Sequence, residues 1–327
     1  MKQKLVSLVI SAYNEEGNID KLYQEIIKTI KNVLNINFEI IFVNDGSKDN
    51  TLKKIKKLQD KDERIRIVNF NRNYGHEIAM TAGMDNAKGD AVIFMDSDLQ
   101  HPPFYIAEMI KRWQNNGADI VLTKRIDNAD TSKIYKFCAC LFYKILNFLS
   151  DVKIPEKTPD FRLIDRKYID FLKNFKEKDR MFRGLLSLVM PSENVEIIEF
   201  SAPERFSGQS KYNFFKSLKL AINAITQFST RPLKLSIFLG IFVAVISLLF
   251  GTYVFFERFI LSKPTPGYAT IVCAITFIGA IQLIVLGIIG EYIGKIHMEV
   301  KDRPLYFADI IEKKHRIKKE NVEKDNN

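Results

Sequence analysis

Val92-Ile93-Phe94-Met95-Asp96-Ser97-Asp98-Leu99-Gln100 is the stretch on which the reading of the fold turns. Four apolar residues run without alternation into two carboxylates one residue apart. An unbroken apolar run is what a strand covered on both faces of a parallel sheet requires. In open α/β sheets, ligands bind beyond the carboxyl ends of the strands, where Asp96 and Asp98 would emerge. Mg²⁺ and Mn²⁺ take hard oxygen donors and are commonly completed by substrate phosphates. A D-x-D at a strand end can therefore hold such an ion against a diphosphate, which neutralises charge on a leaving nucleotide. The plainer alternative is a helix-capping pair or a solvated turn. The preceding strand and the following Gln100-His101-Pro102-Pro103 favour the chemical reading.

Working outward, similar units recur. Leu5–Ile10, Phe38–Val43, Arg64–Phe70 and Ala118–Leu122 read as further strands. Helical stretches from about Ile19 to Leu34, from Thr51 with Asp49 as cap, from Gly75 to Ala87 and after Pro102-Pro103 separate them. Repeated strand–helix units predict an α/β fold with a mostly parallel sheet covered on both faces. Polar clusters fall at the strand ends: Ala12-Tyr13-Asn14-Glu15 and Asn44-Asp45-Gly46-Ser47. Asp45 is a second strand-end carboxylate, suited to a base or ribose, although Asn-Asp-Gly-Ser is also good turn chemistry.

The last third differs. Leu235–Phe256 and Tyr268–Gly290 carry no charged residue. Each is as long as a membrane span needs, about 20 residues. Arg231 and Lys234 precede the first; Lys295, His297, Lys301 and Arg303 follow the second; the link holds only Arg258 and Lys263. The positive-inside bias predicts a two-span hairpin with both ends and the preceding domain in the cytoplasm. Stretches 134–149 and 214–228 mix aromatic, aliphatic and lysine residues. They read as interfacial amphipathic helices or as ordinary core-facing ones. The expected organisation is a catalytic domain over 1–230, including helices near 133–150 and 212–230, a hairpin over 231–295, and a charged cytoplasmic tail over 296–327, mobile after Asp309. The apolar run at the N-terminus is short and soon meets Glu15 and Glu16, so it reads as a strand and not a targeting segment.

A net charge of +10 suits nucleic acid, anionic lipid or phosphate-rich substrates. No zinc-finger, RNP or helix-turn-helix pattern is present, so no nucleic-acid partner is expected. Cys138, Cys140 and Cys273 make neither a zinc set nor a disulfide framework. Arg205 and Lys211 flank Ser207, Gly208 and Ser210, a composition suited to binding phosphate and closing over it, or else to a solvated basic loop. Arg125 follows the fifth strand and points to the same edge, or is a surface arginine. Asp160 could take a proton or orient a neighbour.

With these residues in place, the first ~230 positions resemble the family 2 glycosyltransferases of GT-A (Rossmann-like) fold, a match carried by sequence motifs. Within them the chain is similar to the polyprenyl-phosphate sugar transferases. The matching elements are Ser11-Ala12-Tyr13-Asn14-Glu15-Glu16, Val43-Asn44-Asp45-Gly46-Ser47, Asn71-Arg72-Asn73-Tyr74-Gly75, Asp96 to Pro103, Asp160-Phe161-Arg162 and Arg205 to Tyr212. The two spans match the bacterial branch. The resemblance implies that Ala12, Tyr13, Glu15, Asp45, Asp96 and Ser97 bind a nucleotide-sugar donor. Asp96, Asp98 and Gln100 would hold Mg²⁺ or Mn²⁺, and Asp98 and Asp160 would be catalytic. Arg125, Arg205, Ser210 and Lys211 would bind phosphates of donor and acceptor. The implied acceptor is undecaprenyl phosphate at the cytoplasmic membrane face, the first donor expected is UDP-glucose, and the implied assembly is a homo-oligomer, a tetramer. Ser11 stands where a proline is usual and His76 where lysine or glutamine is frequent. Neither is expected to touch the chemistry, though His76 could influence donor choice. A processive polysaccharide synthase is a rival, but its Q-x-x-R-W element is absent: the sole tryptophan, Trp113, follows Lys111-Arg112. A non-catalytic membrane scaffold is the other rival, opposed by the intact acidic set.

Overall fold

The computed structural model describes residues 3–126, 158–178, 180–191, 193–201, 203, 226, 229–259 and 267–312. Its centre is an eight-stranded sheet: β1 (Lys4–Ala12), β2 (Ile36–Asn44), β3 (Ile65–Phe70), β4 (Ala91–Asp96), β5 (Ile120–Arg125), β6 (Arg162–Asp165), β7 (Val195–Phe200) and β8 (Ala308–Ile311). The order is β7-β5-β6-β4-β1-β2-β3-β8. β1 pairs in parallel with both β2 and β4, while β6 runs antiparallel between β4 and β5. The α/β architecture and mostly parallel sheet agree with the sequence.

The helices are α1 (Ile19–Ile30), α2 (Thr51–Lys61), α3 (His76–Asn86), α4 (Tyr105–Asn115), α5 (Arg166–Lys173), α6 (Phe182–Val189), α7 (Arg231–Phe259) and α8 (Tyr268–Val300). Period-two alternation divides the core into two layers. Val6, Leu8 and Ile10 pack with Ile19, Leu22 and Ile26 of α1 and Ile106 and Ile110 of α4. Val9, Ile41 and Phe94 face α3, α5 and α6 through Ala79, Ile169 and Phe182. Asp49, expected as the cap of α2, stands one residue before the cap position, which is Asn50, and its Oδ1 accepts the Thr51 N–H at 3.0 Å. α3 lies close to the sheet at Gly83, where a Cβ would sit 2.1 Å from Val9 Cγ1.

This topology puts the site at a switch point. The strand order reverses at β1, so the chain leaves β1 and β4 in different directions and opens a crevice there. The register sets Ser11 beside Asp96 and Ala12 beside Asn44.

Three strands, β6, β7 and β8, were not among the five read from the sequence. β6 was not read as a strand, because Arg162-Leu163-Ile164-Asp165 is too short to show a period. The segment from Asp309, expected to start a mobile tail, instead continues β8, which pairs antiparallel with β3 from Ile67↔Ile311 to Phe70↔Ala308. The unpaired edge of β3 supplies the partner that a four-residue segment lacks by itself. α7 and α8 are both long and apolar enough to cross a membrane. Stretch 134–149, all of 214–228 except Thr226, and the tail from 313 lie outside the described residues, as do Cys138 and Cys140.

Candidate active site

A cavity of about 710 Å³ opens over the ends of β1, β2 and β4. Ala12, Tyr13, Glu15, Asp45, Asp96, Ser97, Asp98 and Asp160 all line it, so the structure assembles eight of the sequence-derived residues. Gln100 and Arg125 do not line it. The Gln100 N–H donates to Asp98 Oδ1 at 3.0 Å, fixing that carboxylate from behind. Arg125 is exposed at the end of β5, separated from β4 by β6. Arg205, Ser210 and Lys211 lie outside the described residues.

The floor is rigid. Asp45 is buried, and burial pushes its carboxyl up. Bonds from Tyr74 N–H at 2.6 Å and Gly75 N–H at 3.0 Å, with the nearby His76, oppose that rise, and Asn73 Nδ2 donates to the same carboxylate at 2.8 Å. Asp45 therefore clips the 73–75 segment onto the β2 exit while lining the cavity. Ser97 is buried with its hydroxyl bonded to the Ser11 carbonyl at 2.8 Å, which ties the β4 exit to β1. Glu15 donates its N–H to Thr51 Oγ1 at 2.8 Å. His101 is buried, stacks on Phe161 at 5.0 Å, and accepts the Asp96 N–H on Nδ1 at 2.9 Å. Burial pushes its pKa down, consistent with a neutral ring accepting at Nδ1. Leu99 has φ 63°, a left-handed conformation rare for a branched side chain. Such backbone persists only where the surroundings over-determine it.

His76 was expected to stay clear of the chemistry; the structure puts it at the centre. Its Nδ1 lies 3.1 Å from Ser11 Oγ and 3.5 Å from Asp96 Oδ1, and its Nε2 lies 3.4 Å from Asp160 Oδ2. Burial alone would lower this imidazole, but Asp96 and Asp160 outweigh it and push it up to about 10. Ser11, the second departure, also touches the site, donating to Asp96 Oδ1 at 3.2 Å.

Asp160 is 3% exposed and held by two guanidiniums. Arg162 bonds Oδ1, and Arg183 reaches Oδ2 through Nη2 at 2.9 Å and both oxygens through Nε. Burial would raise this carboxyl; Arg162 and Arg183 hold it well below the usual carboxylate range. Such a group stays ionised and is a weak proton acceptor. Arg183 was not among the sequence-derived residues. Its only signal was a cation opening an apolar run, Phe182-Arg183-Gly184-Leu185-Leu186.

Among the described residues, no three His, Cys, Asp or Glu side chains form a metal-holding cluster. Asp96 and Asp98 nonetheless suit a hard cation, for both line the cavity at one strand exit. Mg²⁺ is commonly bound by one or two carboxylates, with waters and substrate phosphates completing the shell.

Comparison with known proteins joins this geometry to a family. Residues 7–172 match the model of glycosyl transferase family 2, and residues 231–296 match that of the GtrB C-terminal hairpin. The chain belongs to glycosyl transferase family 2. This glycosyltransferase is 40% identical over 311 residues to the SfII prophage-derived bactoprenol glucosyl transferase of Shigella flexneri, covering 95% of this chain and 98% of that one. It is 37% identical over 308 residues to the prophage bactoprenol glucosyl transferase homolog of Escherichia coli K12, covering 94% and 99%. An uncharacterized glycosyltransferase of Synechocystis is 41% identical over 303 residues, covering 93% and 94%.

Proposed function

We propose that this glycosyltransferase moves one sugar, UDP-glucose being the first donor to test, onto undecaprenyl phosphate at the cytoplasmic face of a membrane. The observation that carries the reading is the near-full-length likeness to bactoprenol glucosyl transferases, which includes the C-terminal hairpin as well as the catalytic domain. The charge bias around the two apolar helices supports a cytoplasmic site.

In this reading Ala12, Tyr13, Glu15 and Asp45 hold the nucleoside, and Asp96 and Asp98 would hold Mg²⁺ or Mn²⁺. The ion, when bound, offsets charge on the departing nucleotide. An acceptor phosphate oxygen forms a bond to the anomeric carbon as the bond from that carbon to the diphosphate oxygen breaks. A single displacement inverts the centre and needs no covalent enzyme intermediate. The acceptor is already ionised near neutral pH, so no strong base is required, in keeping with the clamped state of Asp160. Arg205, Ser210 and Lys211 supply further phosphate donors. The hairpin extends over 231–295 and a tetramer is the proposed assembly. Trp113 is buried, with Nε1 donating to Asp165 at 2.8 Å, which removes it from any polymer-binding role.

The test combines purified chain, undecaprenyl phosphate, labelled UDP-glucose and Mg²⁺ or Mn²⁺. Label in the lipid fraction is expected, with EDTA stopping the reaction. Asp98→Ala should abolish transfer while leaving insertion and folding intact. Long polymer would point to a synthase, and no product with any nucleotide-sugar would point to a scaffold.

A further inference from the structure

The cavity carries an excess of carboxylates, yet both reactants of the proposed reaction are anions. Among the described residues, Arg183 is the one guanidinium that lines it. Its side chain is 35% exposed, while Arg162, on the far side of Asp160, is 2% exposed. One carboxylate therefore lies between two guanidiniums, and Arg183 is the one of the two that lines the cavity where an anionic reactant would enter. The Asp160 bonds fix the plane of the Arg183 fork toward the cavity. Arg183 is the second residue of α6. Five residues earlier, Lys178 donates its N–H to Glu299 at 2.7 Å and its Nζ to Asp302 at 2.7 Å, at the end of the second apolar helix. Arg183 thus lies five residues along the chain from a contact with the end of α8. Asp96 ends β4, within the sheet, and Asp98 follows it by two residues.

We infer that Arg183 receives the phosphate monoester of the acceptor, with Asp160 as its positioning residue. This rests on the polyprenyl-phosphate reading above. A contact to the donor diphosphate or to the transferred sugar is the competing assignment.

Two measurements on the full chain in nanodiscs decide it. The first is equilibrium binding of farnesyl phosphate, with farnesol and inorganic phosphate as controls. The unaltered chain should prefer farnesyl phosphate over both. Arg183→Ala should remove about tenfold or more of the preference over farnesol, the loss of a charge-assisted pair, and Arg183→Lys should keep part of it. The second is a KM split: Arg183→Ala should raise the acceptor KM by about tenfold to a hundredfold and leave UDP-glucose KM within about twofold. Asp160→Asn should shift the acceptor KM in the same direction, and the double variant should be no worse than Arg183→Ala, as coupled residues require. Retained UDP binding shows that the variants fold, and Arg183→Lys serves if the alanine variant does not. An unchanged preference for farnesyl phosphate, equal preference for inorganic phosphate, or a rise confined to donor KM overturns the assignment. No lipid-linked sugar from the unaltered chain would instead overturn the acceptor reading, and the binding measurement would still decide the role of Arg183.

Discussion

His76 is the side chain on which the charge balance of the cavity depends. It bridges Asp96 and Asp160, two carboxylates that must stay ionised near an anionic donor. His76→Leu should lower kcat/KM about tenfold or more, the effect expected for one charge-assisted contact. His76→Lys should recover part of the loss. Steady-state rates at fixed metal concentration measure both, and full activity in the leucine variant would make the imidazole a bystander. The sequence marked position 76 as unusual and could say no more, because the distance from α3 to β4 is a tertiary quantity. Arg183 was less visible still, since one arginine at the head of a short helix has no spacing to recognise. Asp96, Asp98 and Asp45 were legible because each ends an apolar strand run, and such endings converge at one edge of a parallel sheet.

Elements hold these side chains through close backbone approaches. Gly46 has φ +65° at the β2 exit, and a Cβ there would sit 2.3 Å from the Arg72 carbonyl carbon. Gly46→Ala must push the 71–75 segment outward, with an overpacking cost of about 1–3 kcal/mol. A lower Tm together with a raised donor KM is expected; a change in Tm alone would separate this turn from donor binding. Asp62, just beyond α2, shows how an element end sets acid stability. Burial would raise its carboxyl, but Arg64 at 2.7 Å and Tyr23 at 2.9 Å hold it low. A folded-state pKa below the unfolded value of about 4 contributes stability above that pH. The contribution is lost as pH falls through the folded value. Asp62→Asn should thus lower Tm at neutral pH and flatten its acid-side decline, as thermal unfolding in detergent would record. The parallel strands were readable as apolar runs and their helices as amphipathic repeats. β6 escaped because its pairing with β4 and β5 is long-range and its four residues carry no pattern.

Across the whole molecule, the chain beyond the second apolar helix returns to the sheet. Tyr306 stacks on Phe70 at 5.1 Å and donates its hydroxyl to Asp85 at 3.0 Å. Gln59 Nε2 donates to the Ile311 carbonyl at 2.7 Å, and Arg66 pairs with Glu312 at 2.9 Å. Truncation after Arg303 should strip the β3 edge, lower Tm and promote association through the exposed strand, which light scattering and calorimetry would report. A truncated chain as stable and monodisperse as the full one would show that β8 is dispensable. At this same end of the hairpin, the Tyr292 hydroxyl donates to the Ser229 carbonyl at 2.6 Å, tying α8 to the residues just before α7. With the hairpin embedded as proposed, this knot and the returning strand act as a depth gauge. So placed, they would fix the height of the reaction chamber relative to the lipid and so the distance an acceptor headgroup must travel to reach it. Chain length in the prenyl tail should then matter far less than the distance by which its phosphate can leave the bilayer.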